Sequence, residues 1–396
     1  MKRTWFILLL CIQALGITAR SNKELYKTLD SLISCYDKLT AEKEQRINSI
    51  KQSMGNITLT PEQTYDLNIR LYDEYMAYRF DSAYYYINKN VTALRGTADH
   101  QRFAASAIRM AHILSVSGLF GRVHNLLGEI NPDSLNDEQK IAYYNQQSEL
   151  NLYRSEMAQY TDYFTEYIQQ AQYYRQLIIQ IAPQNSQDYV FNQATYISEQ
   201  GDNDKAIEML ESNLLQLQEG TRDYSIVTST LAYFYHKKGD VSQQERYLLL
   251  SAISDERGAI RENNSLRSLA EILMELGDND EAYHYLFQAI SEAKFYGSRL
   301  RMMQVGRMAP QIMQLYDQKR SQTQRNTYIY LGIISLISLV LLLIMYDTLK
   351  LYRKKQAASK KIEEMNQELT AQNMQILGTN NEMKEVNRIK DEYIGR

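Results

Sequence analysis

Over long segments of this chain apolar residues recur at intervals of three and four rather than two, the period of amphipathic helices rather than of half-buried strands. The pattern predicts an all-α protein. Two stretches depart from it by being apolar all round. Tyr328 to Tyr346, YIYLGIISLISLVLLLIMY, is a run of nineteen uncharged residues that spans roughly 28 Å as a helix, about one hydrocarbon core. It is expected to cross a membrane with Tyr328, Tyr330 and Tyr346 at the headgroup level; a buried core helix is the alternative. Near the start, Lys2 and Arg3 precede an apolar run from Trp5 to Ile17, and Ala19 offers a small residue for cleavage. That is the build of a secretory signal. Cys11 follows bulky Leu10, which argues against a lipid-modified cysteine, and removal of residues 1–19 leaves Cys35 as the one thiol. Such a chain holds no internal disulfide and depends on packing.

Between these stretches the helices repeat. Gly-Asp occurs at Gly201-Asp202, Gly239-Asp240 and Gly277-Asp278, 38 residues apart both times, a period of the kind that marks stacked helix pairs. The glycine suits a left-handed helix end, and the aspartate can cap the helix that follows. Around each turn the same residue types return. Ala194, Ala232 and Ala270 precede it at one offset, with Ile197, Tyr235 and Leu273 three further on. Leu210, Leu248 and Leu286 follow it at another, and Ala206 and Ala282 occupy a fifth position where the middle unit has Gln244. Small residues let antiparallel helices approach, and large ones fill the space between them.

GDNDKAIEMLESNL and GDNDEAYHYLFQAI resemble the turn and second helix of the tetratricopeptide repeat (TPR) family. The period departs from the family's, and neither its first-helix tryptophan nor its terminal proline is present in these units. Weaker copies extend toward the N-terminus, with Ala111, Leu114, Gly118 and Leu127 in one, Ala83 in another, and a pair without a clear glycine over Ile141 to Tyr174. The resemblance implies a TPR-like α-solenoid of about six helix pairs whose concave face binds a protein or peptide. The expected organisation is a signal peptide (1–19), an N-terminal capping helix and linker (20–61), repeats (62–297), a C-terminal capping helix (298–327), the transmembrane helix (328–346), and a basic flank with a coiled coil (347–396).

Charge sets the orientation. Lys350, Arg353, Lys354, Lys355, Lys360 and Lys361 follow the span, as the positive-inside rule asks, although Lys319, Arg320 and Arg325 precede it. Residues 20–327 are therefore expected on the periplasmic side of a bacterial inner membrane and residues 347–396 in the cytoplasm. The exported part carries 32 basic and 39 acidic residues, which argues against nucleic acid as its ligand.

Candidate chemistry is sparse. The five histidines are scattered, and only His112 and His124, twelve apart, invite a zinc reading, a weak one. Acidic residues at the turns lack the order of a calcium loop. Gly118 and Gly121 lack the context of a phosphate loop. Asn56-Ile-Thr58 and Asn90-Val-Thr92 match the glycosylation pattern. No nucleophile has a plausible base, so no enzyme activity, cofactor or metal is expected. Tyrosine clusters at Tyr84 to Tyr86, Tyr143 and Tyr144, and Tyr173 and Tyr174 suit packing between helices, with a minority lining a groove.

Beyond the span, Ile362, Met365, Leu369, Ile376, Met383 and Val386 fall on a seven-residue seam with polar lapses at Gln372, Thr379 and Lys390, as in a parallel dimeric coiled coil. The closing NRIKDEYIGR continues the helical pattern to Arg396 and resembles the stretch leading into the dimerisation helix of membrane sensor histidine kinases, without their phosphoryl-accepting histidine. The layout as a whole resembles bacterial membrane-bound regulators, which implies a signal transducer whose output domain lies elsewhere. An envelope scaffold or a histidine-kinase fragment are the alternatives.

Overall fold

The computed structural model describes residues 22–52, 59–262 and 264–394, so the predicted signal peptide and the sequon at Asn56 lie outside the described residues. The chain divides into two compact units, one ending at Tyr316 and the other beginning at Asp317. Among the described residues every regular element is helical.

In the first unit, α1 (22–34) and α2 (Tyr36–Gln52) precede six helix pairs. These are α3 (Pro61–Tyr75) with α4 (Phe80–Leu94), α5 (His100–Val116) with α6 (Phe120–Gly128), α7 (Asp137–Met157) with α8 (Tyr163–Ile181), α9 (Gln187–Glu199) with α10 (Asn203–Leu214), α11 (Arg222–Lys238) with α12 (Val241–Gly258), and α13 (Ser265–Leu276) with α14 (Asn279–Tyr296). Local signals set their limits. Thr60 and Gln63 form a capping box ahead of Pro61, which stands where its missing N–H costs nothing. Gly118, Gly201, Gly239 and Gly277 have φ of 77°, 96°, 74° and 83°, and the residue after each donates its N–H back to the carbonyl of Leu114, Ile197, Tyr235 or Leu273. This left-handed ending satisfies carbonyls that a helix terminus otherwise orphans.

The core has two main parts. One gathers α2 to α7, with Leu71, Ile87, Ala107, Ile113 and Val123 fully or almost fully buried. The other gathers α9 to α14 together with Leu29 of α1. The middle pair, α7 and α8, contributes a small apolar cluster of Ile141, Ile178 and Ala182. Polar contacts add to it: Gln146 Nε2 donates to Ser115 Oγ at 3.1 Å, Ser148 Oγ to Ala171 O at 3.1 Å, and Asn145 Nδ2 to Asp188 Oδ1 at 2.7 Å.

The predicted C-terminal capping helix is not a single helix. Arg299–Arg307 forms α15, the chain turns at Met308, and α16 begins at Ala309. Pro310 lacks an N–H and so belongs in a helix's first turn, where the new helix places it. In the second unit the described residues are helical, and a stretch long and apolar enough to cross a membrane lies there with every side chain from 328 to 346 exposed. The stretch is not a buried core helix.

Candidate functional site

The array closes on itself. The turn between α3 and α4 receives the far end of the array: Ala77 O accepts the N–H groups of Arg261 and Glu262 at 2.7 and 3.0 Å, and Met76 O accepts from Tyr296 Oη at 2.8 Å. Ala259, in the left-handed region at φ 49°, is buried in the core of the first pairs although it ends α12. Ser298 Oγ donates to Val116 O at 2.6 Å. First and last pairs are thus joined by directional polar bonds around a charged interior.

That interior draws on five elements. His112 Nδ1 (α5) lies 2.8 Å from Glu149 Oε2 (α7), and its Nε2 lies 3.3 Å from Arg222 Nη2 (α11) and 3.8 Å from Glu262 Oε2, in the turn after α12. Arg301 Nη2 (α15) reaches Glu262 Oε1 at 3.3 Å. Burial pushes the Glu149 carboxyl up, but the neighbouring His112, Arg222 and Arg301 outweigh it and hold the group below its usual range. Burial raises the Tyr153 and Tyr296 hydroxyls well above theirs.

A second buried cluster lies beside it. Arg261 Nη1 bridges Glu256 Oε2 at 2.8 Å and Glu292 Oε1 at 2.7 Å, with all three side chains at most 1% exposed. The ring of Tyr36 caps the guanidinium at 4.0 Å, a cation–π contact strengthened by the loss of water. Burial and the adjacent Glu256 push the Glu292 carboxyl far up. One arginine therefore faces two carboxylates, and the Glu292 carboxyl is biased toward its protonated form. Burial likewise lifts Asp255 to about 7, against hydrogen bonds from Ser225 and Ser265.

The N-terminal segment, expected to cap the first pair, also straps the array. Asn22 Nδ2 donates to Glu245 Oε2 of α12 at 2.9 Å, and Tyr26 Oη donates to the same carboxylate. Tyr285 Oη of α14 donates to Asp30 Oδ1 at 2.8 Å. At the other end of the segment, Lys43 pairs with Glu74 at 2.6 Å and Tyr78 Oη donates to Glu44 Oε1 at 2.9 Å. The strap runs from the last pairs to the first.

Where strap, first pair and fifth pair meet, a cleft of about 680 Å³ opens. Its walls are Lys43 and Arg46 of α2, Arg70, Asp73 and Glu74 of α3, the Ala77 turn, Glu219 and Gly220 before α11, Arg222, and the end of α12 from Arg257 to Ile260. Five cations face three carboxylates there. Gly258 fits because a Cβ on it would stand 2.4 Å from Gly220 O.

The residues singled out from sequence fall elsewhere. Gly201, Gly239 and Gly277 end helices, while Asp202 and Asp240 accept from Lys205 N and Gln243 N at 3.1 and 3.0 Å. Asp278 precedes α14 without a side-chain capping bond. Ala194, Ala206, Leu210, Ala232, Leu248, Ala270, Ala282 and Leu286 are all buried in one core. In the single chain, Ile362, Met365, Leu369, Ile376, Met383 and Val386 are exposed. His112 is engaged by Glu149 and does not face His124, which is exposed. Among the described residues no group of three His, Cys, Asp or Glu side chains is disposed to hold a metal. Asn90 is buried, donating to Tyr65 O at 3.0 Å and accepting from Asn68 at 2.8 Å, so its amide is not open to a glycan. Tyr143 is buried, whereas Tyr85 and Tyr173 are exposed.

The charged interior was missed from sequence, although a signal exists. Glu292 sits among Tyr285, Ala289, Ala293 and Tyr296 on the buried face of α14, and Asp255 and Glu256 continue the buried run of Leu248, Leu249, Ala252 and Ile253. A carboxylate in an apolar frame marks a buried partner.

A family model described as the SusR N-terminal TPR domain matches residues 33–307. Among solved structures the chain is similar to a thermophilic TPR protein in Thermus thermophilus, TTC0263, at 15% identity and a TM-score of 0.39, over 54% of this chain and 100% of that one. It is also similar to the APC/C hetero-tetramer Cut9-Hcn1 at 13% identity and a TM-score of 0.43, over 69% of this chain and 48% of that one. No curated protein matches the chain.

Proposed function

The chain belongs to the SusR N-terminal TPR domain family, and from that premise we propose that it is a membrane-anchored regulator of the signal-transducing kind rather than an enzyme. TPR arrays are protein-interaction scaffolds. In this reading residues 20–327 lie on the periplasmic side of a bacterial inner membrane and bind a protein or peptide, residues 328–346 anchor the chain, and the heptad helix beyond dimerises and passes the change toward an output.

The observation that carries the reading is the polar closure. Two ends of a repeat array are joined by directional bonds from Tyr296, Arg261, Glu262 and Ser298, and in this reading the join opens by exchanging those hydrogen bonds for water. A few such bonds, each worth roughly 1 kcal/mol net, give a closed state that a partner's differential affinity can shift. α15 packs within that closure through Arg301, and the chain then continues into the apolar helix.

The test needs no ligand. In membranes carrying the full chain with Cys11 and Cys35 replaced by serine, Ile376→Cys reports oxidative cross-linking between copies. Loosening the closure with Tyr296→Phe should change the cross-linking yield at least two-fold. An unchanged yield would sink the transducer reading and leave an anchored scaffold.

A further inference from the structure

We propose that the cleft at the closing seam is a regulatory site for a small, multiply charged oxyanion, a di- or tricarboxylate or a phosphate ester, which bridges the first and fifth pairs. This goes beyond the partner binding proposed above and concerns a small ligand.

The charge balance of the cleft runs against that of its domain. Residues 20–327 carry an excess of acid, yet the cleft walls carry five cations and three carboxylates. Each of those carboxylates is already engaged. Glu74 holds Lys43 at 2.6 Å and Arg46 at 3.5 Å, Glu219 holds Arg257 at 2.6 Å, and Asp73 meets Arg109 at 4.0 Å. Arg70 is exposed and pairs with no carboxylate among the described residues. Arg222 reaches Glu262 only at 3.9 Å, and that carboxylate is shared with His112 and with Arg301 at 3.3 Å. Arg70 is thus the guanidinium of the cleft without a carboxylate, and Arg222, held by Glu262 and Glu149 of the charged interior, lines the opposite wall.

Backbone adds to this. Arg222 is the first residue of α11, a helix of 17 residues, so the positive end of its dipole opens on the same space. The volume suits a small molecule, and a wall dominated by charged groups disfavours a peptide with large apolar anchors. Because Arg70 belongs to the first pair and Arg222 to the fifth, an anion held by both favours the closed array and is linked to it thermodynamically.

The experiment follows thermal unfolding of the full chain in detergent, with citrate and pyrophosphate each titrated at low millimolar concentration against sodium chloride of equal ionic strength. One of the two anions should raise the midpoint by a few degrees and saturate. Arg70→Gln, at an exposed position, should remove at least half of that rise without altering the midpoint in chloride; Arg222→Gln should also remove at least half of the rise, measured from its own chloride midpoint, which the loss of its contacts with His112 and Glu262 lowers. A response to citrate alone identifies a carboxylate ligand, and a response to pyrophosphate alone a phosphate. Absence of any rise beyond the chloride control, or a full rise in Arg70→Gln, would overturn the proposal. Either failure leaves the cross-linking result untouched, since that assay contains neither anion.

Discussion

Tyr296 Oη donates a hydrogen bond to the carbonyl of Met76 at 2.8 Å, across 220 residues of chain. The pair ties the end of the sixth helix pair to the turn of the first, and the tyrosine ring is almost wholly buried in doing so. Tyr296→Phe keeps the ring and strands the carbonyl. It should cost about 1–2 kcal/mol, read as a lower urea midpoint with little change in slope. A change confined to the slope would instead indicate a more open native array.

Removing the cation from the Arg261 cluster is the harsher change. Arg261→Met leaves Glu256 and Glu292 buried without their counter-charge and should destabilise by roughly 3–5 kcal/mol. Adding Glu256→Gln and Glu292→Gln to Arg261→Met should recover most of the loss. Chemical denaturation of the single and triple variants provides the comparison.

Asp255 gives stability a pH dependence of a definite sign. Burial raises its carboxyl from 3.8 to about 7 in the folded chain, so between those values the native state binds a proton that the unfolded state has released. This contribution is fully present below about pH 4 and is lost as pH rises through 7, amounting to a few kcal/mol by linkage (~1.4 kcal/mol per unit). Glu292 acts in the same sense. Glu149, held low by His112, acts in the opposite one and loses its contribution as pH falls. Asp255→Asn should flatten the decline between pH 4 and 7 in a series of unfolding midpoints; an unaltered slope would contradict the assignment.

Two glycines should respond differently to alanine. At Gly258 the added methyl collides with Gly220 O, and relief requires the α10–α11 loop and the end of α12 to part, at a cost of about 1–3 kcal/mol. At Gly239 the methyl meets nothing, and only the left-handed φ of 74° is penalised, by about 1 kcal/mol. Thermal midpoints of Gly258→Ala and Gly239→Ala should rank in that order.

The proposed dimer rests on the heptad residues. Ile376→Glu together with Met383→Glu places like charges in the seam, and cross-linking through Arg388→Cys in the same chain should then fall at least five-fold. An undiminished yield would remove the coiled coil from the reading.

The helical character, the repeat frame and the turn glycines are readable because each is a local property. Gly277 needs only its own backbone to occupy the left-handed region, and Leu210 or Leu286 needs only the helical period to point inward. Asp278 shows the limit of that reasoning, since it stands at the capping position without a side-chain bond. Pro310 is an equally local signal, and it marks the break that divides the expected C-terminal cap into two helices.

What the sequence by itself determined is the all-helical class, the stacking of pairs, and the apolar stretch from Tyr328 to Tyr346, all of which follow from periods of a few residues. What only the tertiary structure decided is that the array closes. The bonds from Tyr296 to Met76, from Arg261 and Glu262 to Ala77, and from Asn22 to Glu245 join positions some 180 to 220 residues apart. Curvature that brings them together is the sum of small rotations at every pair, and no local pattern encodes such a sum. The same curvature assembles Arg70, Arg222 and Arg257 around one cleft, because charges far apart in sequence become neighbours only after the chain has wound back on itself.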